Sequence, residues 1–194
     1  MARSCNFDRQ DKLIAAMELF WQKGYADTSV SDLVAHLKIN RFSLYNSFGD
    51  KLSLYRESLS YYLAHYSQPK LAPLFVDDAD LDTIKDYIEA FIAQQVDQPY
   101  GCFLQNAILE KYLKDEVVQQ LCGRLFDGLH QAFTQVLADS QRRGRLSNAL
   151  NTQEVASFLV MQLQGIRVLG KAEQYQLVEQ ARRVLMSYLD GLRR

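Results

Sequence analysis

Arg41, Ser43, Tyr45 and Asn46 form a polar set that one short helix would turn outward while Leu44 and Phe48 turn inward. Such side chains suit a base-pair edge and the phosphates beside it. Arginine reaches guanine or phosphate, asparagine pairs with adenine, and serine and tyrosine hydroxyls bind phosphate. Phe42, between Arg41 and Ser43, is either a contact to a thymine methyl or a core residue. The major groove of B-DNA admits one α-helix, so double-stranded DNA is the expected partner.

Such a helix is too short to be stable alone and must be held by neighbours. Thr28 and Ser29 are placed to cap a preceding helix whose apolar residues Val30, Leu33, Val34 and Leu37 recur at helical spacing, and Asn40 is placed to cap the second helix. Two capped helices joined by a tight turn make a helix-turn-helix. Upstream, a helix starting near Asp8 puts Leu13, Ala16, Met17 and Phe20 on one face and ends at Gly24, with Trp21 and Tyr25 closing the small core.

The segment from Leu13 to Tyr55, with Phe20, Lys23-Gly24-Tyr25, Thr28-Ser29-Val30, Leu44-Tyr45, Phe48 and Lys51-Leu52 in register, resembles the DNA-binding domain of the TetR/AcrR transcriptional regulators. The resemblance implies that Thr28, Tyr45 and Lys51 grip phosphates while Arg41, Phe42, Ser43 and Asn46 face base edges. With the caps and the turn, the expected DNA-binding set is Thr28, Ser29, Lys38, Asn40, Arg41, Phe42, Ser43, Tyr45, Asn46 and Lys51. The chain departs from the family pattern in the turn, where Lys38 replaces glycine and Val34 and Leu37 replace small residues. Either the turn is built differently or Lys38 is left-handed, at roughly 1–2 kcal/mol.

The rest of the chain reads as helices, so the expected class is all-α, with about nine helices. Residues 1–50 form a three-helix helix-turn-helix domain, and residues 51–194 a helical ligand-binding and dimerisation domain. From Asp50 a helix carries Leu52, Tyr55, Leu59, Tyr62, Leu63 and Tyr66 until Pro69 stops it, which makes it the natural transmission element. Residues 68–80, with two prolines, read as a loop and boundary. Leu81 to Ile92 is amphipathic, Gln98-Pro99-Tyr100-Gly101 interrupts it, and a short helix follows from Cys102 to Tyr112. Lys111, Lys114, Asp115 and Glu116 look like a solvated junction before a long helix that ends around Gly144.

The last two helices, near Thr152–Leu169 and Gln174–Leu192, carry long apolar stripes. Val155, Phe158, Leu159 and Ile166, with Val178, Ala181, Leu185 and Leu189, either face their own core or pack against a second copy as a four-helix bundle. The resemblance favours the second, because regulators of this family usually dimerise through their last two helices. A two-fold homodimer would set two recognition helices on a palindromic operator.

The middle of the chain mixes aromatic and polar residues in a way that suits either an apolar small-molecule pocket or a solid aromatic core. The candidate ligand-binding set is Tyr62, Tyr66, Phe91, Cys102, Phe103, Asn106, Phe126, His130 and Gln164, in the region where the resemblance places an inducer pocket. Gly101-Cys102-Phe103-Leu104-Gln105-Asn106 is similar to a Gly-Cys-x-x-x-Asn element of a subset of these regulators. At a helix start, Cys102 is either a reactive thiol, which would make the protein a redox or electrophile sensor, or a buried structural cysteine.

Net charge is −1, and Lys plus Arg number seven against six acids in residues 1–51, so any basic bias is weak and lies at the N-terminal end. Cys5, Cys102 and Cys122 are odd in number and widely spaced, which argues against disulfides and zinc and for a reducing cytoplasm. His36, His65 and His130 lack metal spacing, and no apolar run approaches the roughly 20 residues that span a bilayer. No nucleophile elbow, phosphate loop or dinucleotide glycine motif is present, so no catalytic residue, metal, cofactor or membrane partner is expected, and a small helical enzyme is a remote alternative. The expected function is a homodimeric repressor released from its operator by a small apolar or aromatic inducer.

Overall fold

The computed structural model describes residues 8–97 and 100–193; Cys5 and the Gln98-Pro99 part of the expected helix break lie outside the described residues. Those residues form nine α-helices: α1 Arg9–Lys23, α2 Val30–Leu37, α3 Arg41–Phe48, α4 Lys51–Tyr62, α5 Leu81–Asp97, α6 Phe103–Lys111, α7 Glu116–Arg142, α8 Thr152–Lys171 and α9 Tyr175–Asp190. Among the described residues the only β-pairing is an isolated bridge between Leu146 and Arg193, so the class is all-α. No helix among them is long and apolar enough to cross a membrane.

The chain divides into two compact units. The first gathers the chain up to Ser67 together with Cys102–Gly123, and the second gathers Gln68–Gly101 with Arg124–Arg194. The first unit therefore runs past residue 50, taking in α4 and α6, and α7 starts in one unit and ends in the other.

In the first unit, polar caps decide where each helix begins. Asp8 accepts from the amides of Gln10 and Asp11, and Asp50 accepts from Ser53. Ser29 and Asp32 close a capping box in which each side chain takes the other's amide. The apolar faces of these helices converge on Met17, Phe20, Leu33, Leu37, Leu44 and Tyr55, all at most 1% exposed. Lys38 adopts the left-handed conformation at φ 52° and ψ 42°, so the glycine-free turn keeps its geometry and carries the strain of a side chain there.

An aromatic chain runs through the same unit. Phe20 meets the Tyr55 ring at 5.1 Å, Tyr55 meets Phe103 at 5.5 Å, and Tyr62 meets Phe103 at 5.8 Å and Trp21 at 5.0 Å, all edge-on. Each such pair adds about 0.5–1.5 kcal/mol beyond area burial and ties α1, α4 and α6 together.

In the second unit, α5, α8, α9 and the later turns of α7 share a core that includes Ile84, Ile88, Phe133, Leu159, Leu163 and Leu189. The contact of α5 with α8 is close: a Cβ on Gly170 would lie 2.6 Å from that of Gln95, so glycine sets this approach. After α4, Leu63–Ser67 winds as π-helix and Gln68–Phe75 as 3-10 helix, which corrects the loop expected over 68–80. Burial of Leu71 and Leu74 holds that 3-10 segment despite the amide donors lost at Pro69 and Pro73.

Candidate nucleic-acid interface

The recognition surface is built on α3. Asn40, in extended conformation, accepts from the Ser43 amide at 2.8 Å and starts the helix; Gly49, at φ 77°, ends it. Leu44 and Phe48 are buried, and the Arg9 guanidinium packs 4.6 Å from the centre of the Phe48 ring. That anchoring turns Arg41, Phe42, Tyr45 and Asn46 to solvent. Phe42 is 77% exposed, which decides between its two readings in favour of the surface. Arg41 donates to the Ser31 hydroxyl at 3.3 Å, an exposed contact that leaves it other N–H donors for a base or phosphate.

Lys38 and Asn40 are also exposed, and Ser43 is half-buried on the same helix. Ser29 is exposed, with its hydroxyl donating to Asp32 at 2.8 Å. Thr28 departs from the expectation. It is fully buried and its hydroxyl donates to the Gly24 carbonyl at 2.6 Å, so the side chain fixes the α1–α2 turn instead of presenting an oxygen to phosphate. Lys51 is half-buried, with its ammonium 4.1 Å from the centre of the Tyr25 ring. Burial, then the charge of Lys111, pulls its pKa below the usual lysine value.

The candidate ligand residues are divided between the two units. Tyr62, Tyr66 and Phe103 meet in the aromatic packing of the first unit, where Tyr62 stacks on Tyr66 at 5.7 Å. Cys102 and Asn106 lie near the start of α6 in that unit, whereas Phe91, Phe126, His130 and Gln164 belong to the second. His130 bonds to the Ser157 hydroxyl at 3.1 Å, and the Gln164 amide donates to the Val160 carbonyl of its own helix. Both of these polar groups have a partner within the second unit.

An open groove of about 490 Å³ lies in the second unit along one side of α5, lined by Pro69, Lys70, Pro73, Thr83, Asp86, Tyr87, Ala90, Phe91 and Gln94. Its size is within the range of small-molecule sites. The Tyr87 and Phe91 rings stack at 6.4 Å, and the Arg167 guanidinium stands 4.8 Å from the centre of the Phe91 ring. Of its lining residues, Phe91 stands in the candidate ligand set, and Tyr87 is among the aromatics of the middle of the chain that suit an apolar pocket. The signal missed is the pairing of Tyr87 and Phe91 one helical turn apart opposite two prolines.

Both thiols among the described residues are sealed. Cys102 is 5% exposed and stands at the N-cap of α6 without a side-chain cap bond, and Cys122 is fully buried with its thiol 3.6 Å from the Leu104 carbonyl. Burial, then the neighbouring Cys102, pushes the Cys122 thiol up to about 11. A raised thiol pKa favours the neutral form in the fold. Its stabilisation is full below the ordinary thiol value of 9.0 and is lost as pH climbs through about 11. At pH 8, iodoacetamide is therefore expected to label the Cys102 and Cys122 peptides only after denaturant is added, as read by mass spectrometry; rapid native labelling of either would show that its thiol opens to solvent.

Asp115 is not part of a solvated junction. Only 4% exposed, it accepts from Arg56 Nε with both oxygens at 3.0 and 3.1 Å, and from the amides of Val117 and Val118 at the start of α7. Glu110, on α6, accepts from the Tyr25 amide at 2.7 Å and the Ala26 amide at 3.3 Å. Its carboxylate occupies the place of any Cβ at Gly24, 2.6 Å away, where φ is 84°. Among the described residues no group of histidine, cysteine, aspartate or glutamate is arranged to hold a metal.

The apolar stripes of α8 and α9 need a correction. Val155, Leu159, Ile166, Val178, Leu185 and Leu189 are buried within one chain, because these side chains fill the second unit's own core. Phe158 is half-buried against Tyr188, and Ala181 is exposed. The large apolar residues left outward include Met161 and Val168 on α8, with Leu177, Val184 and Tyr188 on α9. Their spacing, with Ala181 and Gly165 among them, traces one stripe on each helix.

Comparison with known proteins agrees with this geometry. Residues 13–57 match the model of the family described as bacterial regulatory proteins, tetR family. The HTH-type transcriptional repressor ComR of Escherichia coli K12 is 28% identical over 165 residues, covering 84% of this chain and 79% of the relative. The uncharacterized HTH-type transcriptional regulator YezE of Bacillus subtilis is 29% identical over 151 residues, covering 76% and 77%. Among solved structures, a cysteine mutant of the TetR family regulator CifR in complex with 26-base-pair operator DNA is 26% identical with a TM-score of 0.79, covering 93% of this chain and 98% of that one. A TetR regulator from Chloroflexus aurantiacus, at 20% identity, shares the fold with a TM-score of 0.83 over 96% of both chains.

Proposed function

The chain belongs to the TetR family and is a DNA-binding transcriptional regulator, and on that premise we propose that it works in the cytoplasm, without catalysis, as a homodimeric repressor released from a palindromic operator by a small aromatic molecule. One observation carries the DNA half of this reading: α3 turns Arg41, Phe42, Tyr45 and Asn46 to solvent while Leu44 and Phe48 hold it from beneath. A residue as apolar as Phe42 left 77% exposed on a rigid, capped helix is explained by a partner surface, and a thymine methyl in the major groove supplies one.

Operator complexes of CifR, a relative of similar fold, support a duplex as that partner. The test is a band-shift with DNA from beside the protein's own gene at moderate salt. A discrete complex that resists competition by random duplex is expected; equal competition by random and specific duplex would refute the reading.

Dimerisation is assigned to the outward stripes of α8 and α9. The side chains of Met161, Val168, Leu177 and Val184 are exposed in the single chain, and a second copy laid against them would bury them. Val184, 70% exposed, is the most sensitive point, because a charge there would be desolvated in the interface yet solvated in the lone chain. Val184→Glu is therefore expected to leave the melting temperature of the subunit nearly unchanged and to shift sedimentation from dimer to monomer at micromolar concentration. A Val184→Glu protein that stays dimeric would place the interface elsewhere.

The inducer is assigned to the groove along α5. Tyr87 and Phe91 offer stacked rings and apolar walls, and Asp86, Lys70 and Gln94 offer polar groups at its edge, which together suit a flat aromatic compound with one or two polar substituents. Such a ligand lowers operator affinity only by its differential affinity for a conformer that fits DNA poorly. The sealed environment of Cys102 gives no comparable support to direct thiol sensing.

A further inference from the structure

Two ammonium groups share one aromatic ring beside the DNA-reading head. Lys51 Nζ stands 4.1 Å from the centre of the Tyr25 ring and Lys111 Nζ stands 4.0 Å from the same centre, so the two charges lie within twice that distance of each other. Lys51 is the first residue of α4, and Lys111 is the last residue of α6, outside the helix-turn-helix. Each cation is attracted to the negative π-face it stands over, and Glu110, the carboxylate adjoining Lys111, is engaged with the Tyr25 and Ala26 amides.

Like charges brought this close repel, and an anion between them relieves the repulsion. Lys51 feels Lys111 in that sense, since the charge of Lys111 lowers its pKa, while Glu110, Asp27 and Asp32 act in the opposite direction. Two ammonium groups no farther apart than that bound are within reach of the oxygens of one phosphate, which would draw a charge-assisted bond from each lysine.

We propose that Lys51 and Lys111 together clamp one phosphate of the operator backbone, with Lys111 supplying a DNA contact from α6. The inference rests on the reading of the protein as an operator-binding regulator and adds a contact that the helix-turn-helix does not contain. It also means that any displacement of α6 from the α1–α2 turn removes a phosphate contact without moving α3.

Salt dependence of binding to a duplex recovered by selection from random sequence reads this directly. Removing both lysines is expected to reduce the slope of log affinity against log salt by about 0.9 per copy of the chain, the amount for one phosphate, and Lys111→Ala alone to give part of that loss. The loss should be equal on recovered and random duplex, because phosphate contacts carry no sequence information. Lys111→Arg should keep the slope, and Lys114→Ala, at an exposed lysine nearby, should leave it unchanged. An unchanged slope in Lys111→Ala, with a reduced one in Lys51→Ala, overturns the inference and leaves the regulator reading standing. Wild-type protein without affinity for any duplex overturns both. A melting shift by inorganic phosphate at fixed ionic strength, lost in Lys111→Ala while its salt slope stays that of wild type, also overturns it, in favour of a free anion.

Discussion

A protein carrying Arg41→Ala and Phe42→Ala together is expected to melt like the parent yet to lose its preference for operator over random duplex by at least about 30-fold. The stability half follows from exposure. Both side chains stand in solvent, the exposed 3.3 Å bond from Arg41 to Ser31 is the contact given up, and surface changes of this kind stay within about 0.5 kcal/mol. Alanine is also the better helix former at either position.

The binding half follows from what the two residues can read. An arginine on guanine contributes roughly 1–3 kcal/mol of discrimination, and two copies double the loss, so even the low end amounts to a factor of tens. Binding to random duplex should fall far less, since Lys51 and the other phosphate contacts remain. Melting curves and competition assays on one preparation separate the two effects. A destabilised variant would return Phe42 to the core, and unchanged preference would move the reading surface off α3.

Asp115→Ala should be the most damaging single change near the surface of the first unit, at about 2–4 kcal/mol. Losing the N-terminal cap of α7 accounts for roughly 1 kcal/mol of this. The remainder comes from Arg56, which loses its bidentate partner; because its side chain is 36% exposed, water recovers part of that loss, and the figure stays below the full cost of stranding a buried charge. For a chain of this size the melting temperature should fall by roughly 5–15 °C. Asp115→Asn retains the oxygen that accepts from Val117 and Val118 and should recover part of the loss. Adding Arg56→Ala to Asp115→Ala should cost less than the sum of the two single changes, since the charge left without its partner is then removed. Strict additivity would show that the pair is independent in solution.

The N-terminal helices were legible because their signals are local. Ser29 with Asp32 three residues on, Asn40 before an amphipathic octet, and Asp50 before Ser53 mark helix starts by chemistry that needs no tertiary structure. For the turn, the sequence left two readings open, and the structure takes the one with Lys38 left-handed. Phe42 was not legible, because a residue beside the polar face is sent in or out by how Leu44 and Phe48 are anchored, and that depends on α1 and α4.

The stripes of α8 and α9 misled for a different reason. Each helix is apolar on two sides, so periodicity finds Leu159 and Ile166 as readily as Met161 and Val168, and the packing of α5 decides which set is inside. Asp115 was misread because a charge run looks solvated until Arg56, 59 residues away, supplies the partner. Aromatic density likewise could not tell the solid packing of Tyr62, Tyr66 and Phe103 from the open groove at Tyr87 and Phe91. That difference lies in which elements meet, a property that composition does not carry.

The central claim is that α3 reads a duplex, twice per assembly. Selection of duplexes from a random-sequence library by the purified protein, followed by sequencing, tests it most directly. The expected result is an inverted repeat whose half-sites lie about one helical turn or a multiple apart, enriched by wild type and not by Arg41→Ala with Phe42→Ala. A library that emerges without any enriched sequence, or one enriched equally by both proteins, would contradict it.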